Sequence, residues 1–180
     1  FVIFSFIIFL GMTYYIDILK YIIAPSYWEG LRVVPIVLVS FIFQGIFFNL
    51  SLWYKLTDKT KYGAYFSILG ALITIAINAL FIPRFGYMAS AWAAFICYFV
   101  IMLLSYLYGQ KYFPIDYKLK KIGIYSVITG VLYIVGEFVT TNYSIINYGL
   151  KTILLLTFIA YILRTDLPAL RQNMINRIKR

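Results

Sequence analysis

The sequence predicts an all-α membrane protein, a polytopic bundle of about six transmembrane helices. Three observations predict it. The 180 residues are 63% hydrophobic and 12% charged, with a mean hydropathy of +0.89, whereas soluble domains are about 45–50% apolar and about 25% charged. One aqueous core cannot hide that much apolar surface, so lipid must solvate part of it. The apolar residues fall in long runs without the period-two alternation of strands, and the basic residues gather in alternate loops.

A crossing helix needs about 20 apolar residues, and six segments meet or approach that. The first covers 1–18 and ends near Asp17. It opens FVIFSFIIFL, without a starting methionine or a basic n-region, which reads as a helix entered part-way through a longer chain rather than a signal peptide. The second covers 33–54, after Arg32. The third covers 63–82, with Pro83 expected to end it. The fourth covers 87–108, after a turn at Gly86. The fifth covers 120–139, and the sixth 145–163, ended by Arg164.

Charge orients these spans. Lys55, Lys59 and Lys61, then Lys111, Lys118, Lys120 and Lys121, then Arg164 and the tail basics Arg171, Arg177, Lys179 and Arg180 share one side. Only Lys20, Arg32 and Arg84 fall on the other. The positive-inside rule makes the basic side cytoplasmic and places the C-terminus inside. The net charge of +10 is then topogenic and calls for no nucleic-acid partner. The tail TDLPALRQNMINRIKR reads as a solvated topogenic segment, or else as a short basic helix on the anionic inner leaflet.

Spacing marks the faces on which helices meet. Gly63, Ser67, Gly70, Thr74 and Asn78 form one small, polar stripe. Gly86, Ser90 and Ala94 repeat at four, a pattern that lets backbones approach. Ser40, Gln44, Phe47 and Ser51 share a face of the second span, and Ser126, Gly130, Tyr133 and Glu137 a face of the fifth. Each stripe has two readings, a packing seam or a polar lumen. Gln44 and Asn78 carry amides that need partners in protein or water. Glu137 and Lys151 are the ionisable residues nearest the membrane interior; they either pair or snorkel separately to the outer interface. Tyr14, Tyr15, Trp28, Trp53, Tyr54, Tyr108 and Tyr112 lie near span ends, where aromatic belts form.

Several chemistries are excluded or thinly supported. With no histidine and Cys97 as the one cysteine, a disulfide framework and a Cys/His metal cluster are both ruled out. Cys97 lies in an apolar run and reads as a small core residue. There is no nucleotide loop, no Gly-x-Ser-x-Gly and no paired carboxylates at helical spacing. The chain is therefore not expected to be an enzyme.

Four stretches carry a resemblance: YWEGLRVVPIVL, GIFFNLSLWYKLTDKTKYGA, GALITIAINALFIPRFGYMASAWAA and LSYLYGQKYFPIDYKLKK. Over about Tyr27–Lys121 they resemble the C-terminal half of Wzx-type polysaccharide flippases of the MOP superfamily, relatives of MATE exporters and of the lipid II flippase. The shared order is a Pro-containing helix start at Pro35, a TDKT loop, a Thr/Asn helix ending IPRFG and a small-residue helix start. The resemblance implies two pseudo-symmetric bundles in the bacterial cytoplasmic membrane. Residues 1–110 would be four helices of the second bundle, 111–163 two appended helices and 164–180 a basic cytoplasmic tail. It implies translocation of undecaprenyl-pyrophosphate-linked oligosaccharide units by alternating access, with the lipid-linked sugar, membrane lipids and the N-terminal bundle as partners. No cofactor is implied, and an ion or proton gradient stays open as the energy source. Similar flippases have a cationic cavity. This chain departs from that pattern, since Lys151 is its one charge clearly within a span. Candidate cavity-lining residues are Arg32, Ser40, Gln44, Lys55, Thr74, Asn78, Glu137 and Lys151. Lys55, Lys59 and Lys61 have two readings, as topogenic charges or as contacts to a pyrophosphate. The alternatives are a MATE-type cation antiporter, which needs an embedded carboxylate such as Glu137 or Asp17, and a membrane-embedded polymerase or acyltransferase.

Overall fold

The computed structural model describes residues 1–138 and 144–178, with side chains over 1–138 and 146–165. Among the described residues the regular structure is all helical. Helix α1 is Val2–Tyr14, α2 Val34–Leu50, the short α3 Leu52–Leu56, α4 Lys61–Phe85, α5 Tyr87–Tyr112, α6 Leu119–Phe138 and α7 Ser144–Ile178; 3₁₀ segments Ile16–Tyr21 and Pro25–Val33 join α1 to α2.

Among the described residues, five stretches are long and apolar enough to cross a membrane: Pro25–Leu56, Lys61–Phe85, Tyr87–Tyr112, Leu119–Phe138 and Ile146–Thr165. The first expected span corresponds to α1, an apolar helix that accounts for 13 residues of the given sequence. Asp17 and Lys20, paired to each other on the next 3₁₀ turn, are charges that water rather than lipid must solvate.

Two helix ends also move. Pro83 does not stop α4; the stop comes at Gly86, with φ 57° and ψ −142°, a backbone region open essentially to glycine. Its N–H still closes on Ile82 O at 2.8 Å. The apolar stretch of the sixth span ends at Thr165, beside Arg164 as expected, but the helix does not end with it, because α7 runs unbroken to Ile178. Arginine is a good helix former, so a charge that leaves the membrane need not leave the helix. The side chains of 166–180, and with them the two readings of the basic tail, lie outside the described residues, as do residues 139–143 between α6 and α7.

The TDKT turn has a definite form. Helix α3 closes with Thr57 N–H on Trp53 O and Lys59 N–H on Tyr54 O at 2.9 Å, while Asp58 takes φ 53°. This is the left-handed helix ending usually filled by glycine, and aspartate is among the few other residues that tolerate it.

In space α5 packs between α2 and α4, and α1 covers the opposite side of α2 and carries both α6 and α7. Two apolar clusters follow. One joins Phe6, Phe9, Leu10 and Tyr14 of α1 to Ile42, Tyr125, Phe158 and Ile162. The other joins Phe47, Trp53, Tyr54, Phe66 and Ile101. The outward faces stay apolar, with Phe4, Leu72, Leu80, Val127 and Ile153 among the exposed residues, as a lipid-solvated surface requires.

The seams use small residues. Along α5, Ala89, Ala93, Cys97, Ile101, Ser105 and Gly109 are all buried, one every fourth residue. The expected Gly86–Ser90–Ala94 repeat is displaced by one position from this face, and Ser90 is exposed. On α4, Gly70 meets Cys97, whose thiol donates to Gly70 O at 3.4 Å. On α6, Gly136 receives the ring of Tyr14, where a methyl group would overlap it, and Tyr14 OH donates to Leu132 O at 2.7 Å.

Candidate functional site: an apolar groove with a basic end

The structure does not gather the eight candidate residues around one cavity. Ser40 is fully buried and donates to Ile36 O within its own helix. Gln44 Nε2 donates to Tyr98 OH at 3.1 Å, across the α2–α5 seam. Thr74 donates back to Gly70 O. Asn78 Oδ1 accepts from Ser90 Oγ at 3.2 Å, across the α4–α5 seam. Gln44 and Asn78 thus find partners across seams, as packing faces do, whereas Ser40 and Thr74 bond only their own helices. Arg32 and Lys55 are exposed at opposite ends. Glu137 is exposed near the end of α6, Lys151 is half-buried on α7, and no ion pair joins them among the described residues.

Of the aromatic residues at span ends, Trp28 and Tyr108 are exposed, but three others depart from expectation. Trp53, Tyr54 and Tyr14 are buried rather than arrayed as a belt. Trp53 stacks on Tyr112 with centroids 5.7 Å apart and sends its N–H to Ser105 Oγ at 3.3 Å. Tyr62 OH bonds Tyr112 OH at 3.0 Å. A buried indole or phenol needs such a partner, and the close approach of Gly109 makes room for the indole.

Two neighbouring clefts, of about 490 and 470 Å³, lie elsewhere. Helix α6 packs on α1 and α7 but not on α2 or α5, and the gap left between them is the groove. Ile46 and Ile122 line both clefts, so they run into one another. None of the eight candidate residues lines either one.

The groove is almost wholly apolar: Ile46, Leu50, Met102, Leu103 and Ile122 form its walls, and Lys118 and Lys121 from the start of α6 line it beside Asn49, Tyr106 and Tyr117. Burial raises the Tyr117 hydroxyl above its ordinary pKa. Ser126, Gly130 and Tyr133, three members of the stripe expected on the fifth span, line the other cleft beside Thr129. Thr129 Oγ1 is buried without a hydrogen-bond partner.

The site was missed in the sequence because it is bounded by residues of α2, α5 and α6 that no single helical period connects. One signal was present: the lysine run at the start of α6, followed by a face of small residues. No family model, curated protein or solved structure matches the chain.

Proposed function

We propose that the chain is the C-terminal half of a transporter that moves lipid-linked oligosaccharide units across the bacterial cytoplasmic membrane for polysaccharide export. The observation that carries this reading is the ordered set of features over Tyr27–Lys121 that resembles Wzx-type flippases. The all-helical, multi-span architecture is compatible with it. In this reading the lysine-rich end faces the cytoplasm, where the charge asymmetry would hold it. The partner bundle, in rocking against this one, supplies the other wall of the substrate path.

The seams support a particular division of labour. Since Gln44 and Asn78 bond across seams of the bundle, this half acts mainly as a rigid body, and strong anion contacts come from the partner bundle. A MATE-type antiporter is less well supported, because Asp17 is paired with Lys20 and Glu137 is exposed.

Disrupting the gene in its own host tests the reading. The expected result is loss of surface polysaccharide with accumulation of lipid-linked repeat units, both reversed by the intact gene. Normal polysaccharide export in the disrupted strain would overturn it.

A further inference from the structure

Side-chain contacts divide the helices into two groups. In the first, Tyr14 OH on α1 donates to Leu132 O on α6, and Tyr15 OH, one residue past α1, bonds Thr152 Oγ1 on α7 at 2.7 Å. The ring pairs Phe9–Tyr133, Tyr15–Tyr148 and Tyr125–Tyr161 join the same three helices. In the second, Gln44, Trp53 and Asn78 tie α2, α3 and α4 to α5, as Phe43 does by its ring contact with Phe95. The rigidity that Gln44 and Asn78 confer therefore belongs to α2–α5. Among the described residues, α-helices of the two groups meet only where α1 lies on α2. That seam is apolar, with Phe6, Phe9 and Leu10 clustered with Leu38, Val39 and Ile42, and none of these hydrogen bonds crosses it.

The covalent links follow the same division. The chain passes between the groups at 22–24 and at 117–118, outside any helix both times. Residues 113–117 stay with α5, because Gln110 Nε2 donates to Ile115 O and Tyr106 packs on Tyr117. At 22–24 the two 3₁₀ segments touch, which makes that end the pivot. No Cα of α6 comes within 8 Å of one in α2 or α5, and the groove is the gap between the groups.

We propose that α1, α6 and α7 form one body that shears on α2 against the α2–α5 body and closes the groove. An open apolar gap lacks the dispersion contacts of facing walls. An apolar seam can slide without breaking a directional bond, and short non-helical links absorb the backbone change. The device does not rest on the transport reading, because it follows from the packing of this chain alone.

Two measurements on the full-length protein in lipid nanodiscs test this, with Cys97→Ala and any other native cysteine replaced. A disulfide holds its Cα atoms about 4.4–6.8 Å apart. Ile46→Cys with Ile122→Cys places thiols on facing walls of the groove. Under copper phenanthroline both thiols should be lost within a monomeric chain, which records a closure of more than about 1 Å. For the second measurement, nitroxides go on Phe4→Cys, Val127→Cys, Phe41→Cys and Leu72→Cys, taken in pairs; all four positions are exposed and lie off the seams. The Phe4–Val127 and Phe41–Leu72 distance distributions should be narrow, and the Leu72–Val127 distribution broader than both. A cysteine pair that stays reduced overturns the proposal, and is the result that a lipid or partner helix wedged in the groove would give. A Leu72–Val127 distribution as narrow as the other two overturns it as well, as does a broad distribution within either group.

Discussion

The ammonium of Lys59 sits over the ring of Tyr112, with Nζ 3.3 Å from the ring centroid. This contact ties the turn after α3 to the end of α5, and Trp53 lies stacked on the same ring. Of the three lysines around that turn, Lys59 is the half-buried one; Lys55 and Lys61 are exposed. Lys59→Met should therefore lower stability by about 1 kcal/mol, the scale of a cation–π contact, while Lys61→Met leaves it within about 0.5 kcal/mol. Thermal unfolding of both variants in detergent checks this. Equal effects of the two substitutions would assign the lysines to topology alone.

Gly109 and Gly130 should respond oppositely to alanine. A methyl group on Gly109 would lie 2.9 Å from Trp53 Cδ1, whereas one on Gly130 meets nothing within 4 Å. Gly109→Ala is expected to destabilise by about 1–3 kcal/mol through overpacking, and Gly130→Ala to stabilise by about 0.5–1 kcal/mol through helix propensity. Melting temperatures of opposite sign check the pair; a loss at both positions would mean that Gly130 is also a close-approach site.

Gln44 and Tyr98 should be coupled. Their hydrogen bond crosses a seam within the membrane, where such bonds average about 0.6 kcal/mol with a maximum near 1.7 kcal/mol. A double-mutant cycle of Gln44→Leu and Tyr98→Phe should return a value in that range. The same cycle for Glu137→Gln and Lys151→Met should return zero, since no ion pair joins them.

Thr129→Val should be neutral or mildly stabilising. The substitution keeps the shape and removes a buried hydroxyl that has no partner, whose desolvation otherwise goes uncompensated. A clear loss of stability on equilibrium unfolding would mean that the hydroxyl is bonded in the membrane.

The helices were legible because lipid demands long apolar runs, and the starts of α2, α5 and α6 fell within two residues of the expected positions. What the runs hid was the exact end of each helix. Proline at 83 removes one backbone hydrogen bond without ending α4, and arginine at 164 closes the apolar stretch without ending α7, so composition marked where apolar runs stop rather than where helices do. The small-residue face of α4 was visible at Gly70, but that of α5 was read one position off. Two four-residue repeats run side by side there, and only the partner helix decides which is buried. The buried tryptophan and tyrosines near the helix ends were hidden for a similar reason: proximity to an interface does not say which way a ring points. The groove depends on which helix α6 leans against, and that is a tertiary fact.

Inner-membrane vesicles of defined sidedness, loaded with a radiolabelled lipid-linked repeat unit, test the transport reading most directly. With the full-length protein present, the labelled sugar should move from the cytoplasmic to the opposite leaflet. Vesicles lacking the protein should keep it where it was placed. The same leaflet distribution with and without the protein would contradict the account.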